Sequence, residues 1–328
     1  MSILAYIPRA VLGAAPFAAF LAFSAPAQAA LSCTFTISAM NFGTVDLTAN
    51  STFDTTATFS ANCSGGTANA NVRICPNINN GTGGASGSGT IRTALSGSNQ
   101  LQYNLYQNSS RTTIWGSYLW SWPSVTPPTI NITLNSSGAG STTATIYGRV
   151  FASQTGLPPG TYTSTFSGTH TQIAYQQTST NNCATIGSTN AQSASFTVTV
   201  TYTAICNVAT TTIDFGTKGV LSTVTDATGT VTATCSSTTP YTIALNNGSS
   251  GSSNPAARLM INGTKQITYS IYRDSARTLV WGSTTGTNTV SGTGNGSGQA
   301  ITAYGRVPVQ TTPAPATYTD TVIATVTY

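Results

Sequence analysis

Phe196, Val198, Val200 and Tyr202 alternate with threonine, and Val322, Ala324, Val326 and Tyr328 alternate in the same way far downstream. Ala57, Phe59, Ala61 and Cys63 repeat the pattern. An extended chain turns successive side chains to opposite faces, so each run predicts a strand with one apolar face and one hydroxyl-rich face. No segment carries a convincing helical period. Several such runs separated by Gly, Asn, Ser and Pro predict an all-β chain built as β-sandwiches.

The opening residues follow a different pattern. Arg9 precedes an apolar stretch over 11–23, and Ala27-Gln28-Ala29 is a small-x-small cleavage site. Residues 1–29 are therefore expected to be a signal peptide, because the apolar core is short for a bilayer about 30 Å thick. No later segment is apolar enough to span a bilayer, so the expected product is exported and soluble. Its six cysteines, an even number, then meet an oxidising compartment.

Self-similarity organises the rest. Cys33, Phe42-Gly43-Thr44 and Cys63 recur as Cys206, Phe215-Gly216-Thr217 and Cys235. Tyr103-Asn104-Leu105-Tyr106, Arg111-Thr112 and Trp115-Gly116 recur as Tyr269-Ser270-Ile271-Tyr272, Arg277-Thr278 and Trp281-Gly282. Tyr147-Gly148-Arg149-Val150 recurs as Tyr304-Gly305-Arg306-Val307, and Thr161-Tyr162-Thr163 as Thr317-Tyr318-Thr319. This order, kept twice, predicts two homologous domains, 30–203 and 204–328. The Cys33/Cys63 and Cys206/Cys235 spacings suit a bond from a first strand to the next, each stabilising by roughly 3 to 4 kcal/mol in the loop-entropy picture.

The two copies differ by three insertions in the first. Cys63 to Trp115 is 52 positions against 46 for Cys235 to Trp281, and Trp115 to Tyr147 is 32 against 23 for Trp281 to Tyr304. Tyr162 is followed by 41 further residues to Thr203, Tyr318 by 10 to Tyr328. The middle insertion holds Tyr118, Leu119, Trp120, Trp122 and Val125, with prolines that disfavour a central strand. Two readings stand: the loop covers the open end of its own core, or it is displayed for contact with a surface. Trp115 belongs to the core, since Trp281 repeats it. If displayed, each ring removes some 150 to 250 Å² from water on docking, on the order of 10 kcal/mol for three or four rings before ordering costs. The other insertions carry Cys75 and Cys183, whose pairing would tie two long loops, 71–88 and 170–192. Ile78 and Ile186 in those loops are weaker candidates for surface contact.

After Tyr162 the first domain has two strand-like runs, 161–175 and 195–203; after Tyr318 the second has one. The second sandwich is therefore expected to lack its last strand. It would present an apolar groove and an unpaired edge that another chain must fill, as in donor-strand complementation.

Composition narrows the chemistry. Only 5% of residues are charged, there is no glutamate, and His170 is the single histidine. Acid-base catalysis wants a histidine or a tuned carboxylate pair, and the six aspartates lie far apart in sequence, so no enzyme is expected. Two unmatched cysteines and one histidine fall short of a metal site, and no cofactor is expected. The net charge of +5 comes from basic residues scattered singly, which argues against nucleic acid. Asp46 and Asp226 are expected to cap turns.

In the order of these stations, twice over, the chain resembles the spore-coat-protein-U-like pilin family, whose members build archaic (Csu-type) chaperone-usher pili. The resemblance implies immunoglobulin-like folds, a periplasmic chaperone that lends a strand, an outer-membrane usher, and an adjacent pilin subunit whose N-terminal extension replaces the lent strand. It places Val322, Ala324, Val326 and Tyr328 beside the chaperone or pilin contact. Cys33 lies about three residues after the expected cleavage, leaving no donor tail. A subunit that receives a strand and gives none is expected at the pilus tip on the cell surface, as in the two-domain tip adhesins of such pili. There the first domain would touch an abiotic or host surface and promote biofilm formation. The alternative is a coat or envelope protein of the same fold without adhesive function.

Overall fold

The computed structural model describes residues 1–5, 30–86, 89–119, 125–178, 180 and 182–328. Most of the expected signal peptide, together with Trp120 and Trp122, lies outside the described residues. No helix among them is long and apolar enough to cross a membrane.

The first domain runs through β1 (Ser32–Ile37), β2 (Met40–Val45), β3 (Phe53–Ser64), β4 (Asn71–Ile78), β5 (Ala85–Ser86), β6 (Ile91–Ser96) and β7 (Asn99–Tyr106). It continues with β8 (Ile130–Thr133), β9 (Gly140–Val150), β10 (Gly160–Phe166), β11 (Thr171–Gln177), the one-turn helix α1 (Cys183–Ile186), β12 (Gln192–Ser193) and β13 (Phe196–Tyr202). One sheet has the order β1-β3-β9-β7-β6-β10-β13-β2, with β5 on β6; the facing sheet is β12-β11-β4-β8. The second domain comprises β14 (Cys206–Thr210), β15 (Thr225–Cys235), β16 (Pro240–Leu245), β17 (Arg258–Asn262), β18 (Lys265–Tyr272), β19 (Val290–Thr293), β20 (Gly298–Val307) and β21 (Ala324–Thr327). Its sheets are β14-β15-β20-β18-β17 and β19-β16-β21. The chain is thus a tandem of two β-sandwiches, each with its own core.

Alternation works as expected where one face of a strand is wet. In β13 the inward Phe196, Val198, Val200 and Tyr202 are buried and the intervening threonines are not. Trp115 and Trp281 are buried in their cores, where the indole N–H donates to the carbonyl of Pro76 (2.8 Å) and of Ile243 (3.0 Å). The cysteines join as Cys33–Cys63, Cys75–Cys183 and Cys206–Cys235. The first and third bonds each tie directly paired residues of neighbouring strands, β1 to β3 and β14 to β15.

The repeated motifs have physical reasons. In Tyr-Gly-Arg-Val the glycine faces Met40 and Phe42 in the first domain, and Ile213 and Phe215 in the second, so closely that a Cβ would collide. The arginine forms a two-pronged bond to an aspartate on the neighbouring strand, Arg149 to Asp54 and Arg306 to Asp226. A second arginine reaches the same carboxylate at 3.3 Å, Arg111 or Arg277, and its guanidinium lies over the tyrosine of the motif, Tyr147 or Tyr304, at 5.6 Å. Asp226 is therefore an ion-pair centre and no turn cap, because the opposing strand places Arg306 across from it. Asp46 does cap, accepting the Thr48 N–H at 2.9 Å.

The hydrogen bond from its arginine holds Asp54, and likewise Asp226, below the usual carboxylate range. A carboxylate whose folded pKa is depressed contributes stability above its unfolded pKa, and that contribution disappears as pH falls through the folded value. Thermal midpoints are expected to fall below pH 4, and Asp54→Asn with Asp226→Asn to flatten that part of the profile; an unchanged acid limb in the double variant would assign acid sensitivity elsewhere. Both carboxylates are about a third exposed, so solvent limits the effect.

Candidate functional site

Two features stand out from the symmetry of the repeat: an edge the second domain leaves open and a loop the first domain adds.

In the first domain, β10 and β11 form one long edge that crosses from sheet to sheet, and β12 and β13 line it on its outer side. β13 runs antiparallel to β10, from Gly160 against Tyr202 to Phe166 against Phe196, and β12 meets β11 at Gln172 and Ile173. The other edge of β13 pairs parallel with β2, Val198 beside Met40 and Tyr202 beside Val45. β13 therefore closes the outer edge of β10, whose inner edge meets β6 at Thr163 and Leu95, and is the strand that brings β2 into the sheet.

Nothing among the described residues fills that place in the second domain. The counterpart of β10 touches β17 through a single bridge, Thr319 to Ile261. The counterpart of β2, around Ile213 and Phe215, forms no strand. β21, which answers to β11, pairs with β16 alone, Leu245 with Ala324 and Ile243 with Val326. Ile213, Val322, Ala324 and Val326 pack against the second core only half-buried, whereas Met40 and Phe166, the counterparts of Ile213 and Val322, are fully buried in the first domain; Phe215 is half-buried like its counterpart Phe42. Tyr328 is exposed at the end of the edge. The second sandwich lacks its last strand, and its core is open along the resulting groove.

The added loop is built on a short hairpin stem. Gly116 N–H donates to Thr126 O and Ser117 N–H to Val125 O, each at 3.1 Å. A Cβ on Gly116 would strike the Val125 carbonyl, so the position needs glycine. Asn77 at the end of β4 anchors the stem: its Oδ1 accepts the Tyr118 N–H at 2.8 Å and the Ser117 hydroxyl at 3.2 Å. Gln107 adds bonds to the carbonyls of Ile114 and Thr126. From this rigid base the Tyr118 side chain is 45% exposed, while Leu119 and Val125 are half-buried. Trp120 and Trp122, expected to carry contact, fall outside the described residues.

The other two insertions meet the same strand. Cys75 of β4 joins Cys183 of α1, and the Thr129 hydroxyl, on the chain leaving the loop, stands 3.5 Å from the Cys183 sulfur. The segment after Ile78 issues from the end of β4. All three insertions thus gather around β4.

The segments 71–88 and 170–192 are not simply long loops, since they contain β4, β11 and α1. Ile78 and Ile186, expected as contact residues, are buried. Ile78 belongs to the main core, and Ile186 packs with Cys75, Ala174 and Cys183 in a small core under α1 on the outer face of the sheet. Asn77 carried no recognisable signal in the sequence, because its role depends on a partner 40 residues away. No group of three His, Cys, Asp or Glu among the described residues could hold a metal.

Comparison with solved structures finds a chain of the CsuC-CsuE chaperone-tip adhesion subunit pre-assembly complex from archaic chaperone-usher Csu pili of Acinetobacter baumannii. It is 17% identical, with 90% of this chain and 100% of that chain covered at a TM-score of 0.53, which shows a shared fold. The CupB6 tip adhesin from Pseudomonas aeruginosa is 11% identical over 91% of this chain and 94% of that chain, with a TM-score of 0.39. No curated protein sequence matches the chain. The model of the Spore Coat Protein U domain matches twice, over residues 19–169 and 192–325. With both copies of the repeat covered, the chain belongs to the Spore Coat Protein U domain family.

Proposed function

We propose that this protein is the tip adhesin subunit of an archaic chaperone-usher pilus. The family is one of structural and adhesive proteins, not enzymes. The observation that carries the reading is the inequality between domains: the first closes its own sheet with β13, and the second leaves the same position open. An open edge beside an apolar groove aggregates unless another chain covers it. A periplasmic chaperone supplies the missing strand first, an outer-membrane usher exchanges it, and an adjacent pilin subunit supplies it in the fibre. Export through the periplasm follows removal of residues 1–29. The pilin domain, 204–328, joins the fibre, and the self-complete adhesive domain, 30–203, stands beyond it at the tip.

The loop on the Asn77 stem is the contact element for an abiotic or host surface, with Tyr118, Leu119, Trp120, Trp122 and Val125 as its apolar residues. Replacing Tyr118, Trp120 and Trp122 together by serine is expected to lower retention of piliated cells on hydrophobic plastic by roughly tenfold or more, since each buried ring contributes a kilocalorie or more. Fibre number on the cells should not change. Variant fibres that still bind as the parent does would make the protein a structural coat component without adhesive function.

A further inference from the structure

The first domain does more than precede the second; its lower pole rests on it. Gly296 of the second domain lies so close to Thr155 and Gly156 that a Cβ on Gly296 would strike the Thr155 carbonyl. Ile205 of the linker packs against the first core, while the Ser236 hydroxyl accepts its N–H at 3.0 Å. The contact joins the Thr155 end of one sandwich to the disulfide end of the next, near Cys206 and Cys235.

The same pole of the second domain is bare. Gln154 bonds the backbone of Gln102, and Gln310 bonds that of Thr268 in the same two-way manner; the Tyr162 hydroxyl donates to Pro158 O, and the Tyr318 hydroxyl to Ala314 O. These pairs make Thr311 and Thr312 the counterparts of Thr155 and Gly156, and both are exposed. Around them stand Val309, 60% exposed, with Val220 at 66% and Val224 at 48%. Gln310 N–H donates to Leu221 O and Leu221 N–H to the Thr312 hydroxyl, which holds these segments together. Lys218 and Lys265, the only two lysines of the chain, are exposed on the flanking segments.

We infer that this valine and lysine pole is a second contact with the neighbouring subunit, distinct from the strand groove. Its occupant is the disulfide end of another sandwich of this fold, carrying carboxylates opposite Lys218 and Lys265. The seating follows the junction the chain already makes between its own domains. The carboxylates follow from desolvation: two ammonium groups covered by a partner without acceptors would oppose docking. The inference rests on the acceptor reading above, since the neighbour arrives with its strand.

Amine acylation read by mass spectrometry tests this on the native chain. Three samples are compared: the free protein, the protein with a peptide of residues 195–203 in its groove, and fibres sheared from producing cells. Lys265 is expected to react alike in the first two and roughly tenfold more slowly in fibres, where the neighbour excludes water. Equal reactivity of Lys265 in all three, with the peptide bound, overturns the pole contact and leaves the groove intact. A peptide that fails to bind overturns the acceptor reading and this inference with it. Val309→Asp provides the second arm: peptide binding should persist while incorporation into fibres falls by roughly tenfold, and incorporation at the parental level overturns the proposal.

Discussion

Appending residues 192–203 to Tyr328 through a short Gly/Ser linker is expected to raise the thermal midpoint of the second domain by on the order of 10 °C and to abolish its binding of apolar dyes. The added strand would carry Phe196, Val198, Val200 and Tyr202 into the place that they fill in the first domain, where all four are buried. Each such side chain stabilises by roughly 1.5 to 3 kcal/mol when withdrawn from water, and both flanking segments gain backbone partners that they now lack among the described residues. Direction also fits. β13 runs antiparallel to β10, so a strand continuing from Tyr328 turns back along the open edge as a hairpin does. Calorimetry of the full chain, with a control strand whose four inward residues are serine, separates groove filling from the effect of added length. An extended chain that melts like the parent, with the dye still bound, would mean that the groove accepts no strand of this pattern.

Arg92→Leu is expected to destabilise the first domain by about 3 to 5 kcal/mol, read as a lowered denaturant midpoint. Its guanidinium is fully buried and donates to the carbonyls of Asn79, Ile78 and Trp115 and to the Asn104 amide oxygen, at 2.7 to 2.8 Å. Leucine would take the guanidinium donors from the three carbonyls in a dry site, each lost bond costing about 1 to 3 kcal/mol before relaxation, while the Asn104 amide oxygen would keep the Leu105 N–H. Burial lowers the Arg92 pKa to about 9, which keeps the group charged at neutral pH. Arg92→Lys should rescue little, because an ammonium cannot reproduce the planar fork that meets several acceptors at once. The same device recurs at Arg258, which bonds the carbonyls of Asn246, Pro255 and Trp281. Two of the Arg92 acceptors lie at the base of the aromatic loop: Trp115 precedes Gly116, and Ile78 follows the anchor Asn77. Loss of Arg92 should therefore loosen the loop stem as well as the core, and hydrogen exchange at the Gly116, Ser117 and Tyr118 amides should accelerate. Unchanged exchange there with a lowered midpoint would confine the role of Arg92 to the core.

Legibility in the sequence followed burial geometry. β13 could be read because one of its faces is wet, which leaves threonine and apolar residues in strict alternation. β4 could not, since five consecutive residues from Ile74 to Ile78 are buried. Its inner face meets the main core, and its outer face lies under α1 and the Cys75–Cys183 bond. A strand covered on both sides loses its period, and its Pro76 and asparagines gave it the look of a loop. The misreading of Ile78 and Ile186 has the same origin. Apolar residues in an insertion look displayed until a second insertion is found folded over them.

The sequence alone determined the β class, the doubling of the domain, the order of its stations and the places where the first copy is longer than the second. These are local or countable properties: a period of two, a repeated spacing, a difference in length. Only the tertiary structure decided which segments flank the vacant place, that Asn77 and Arg92 support the aromatic loop, and that Asp226 binds two arginines. Each of those depends on groups distant in the chain whose meeting is set by strand order and register, and neither is written in any short run of residues.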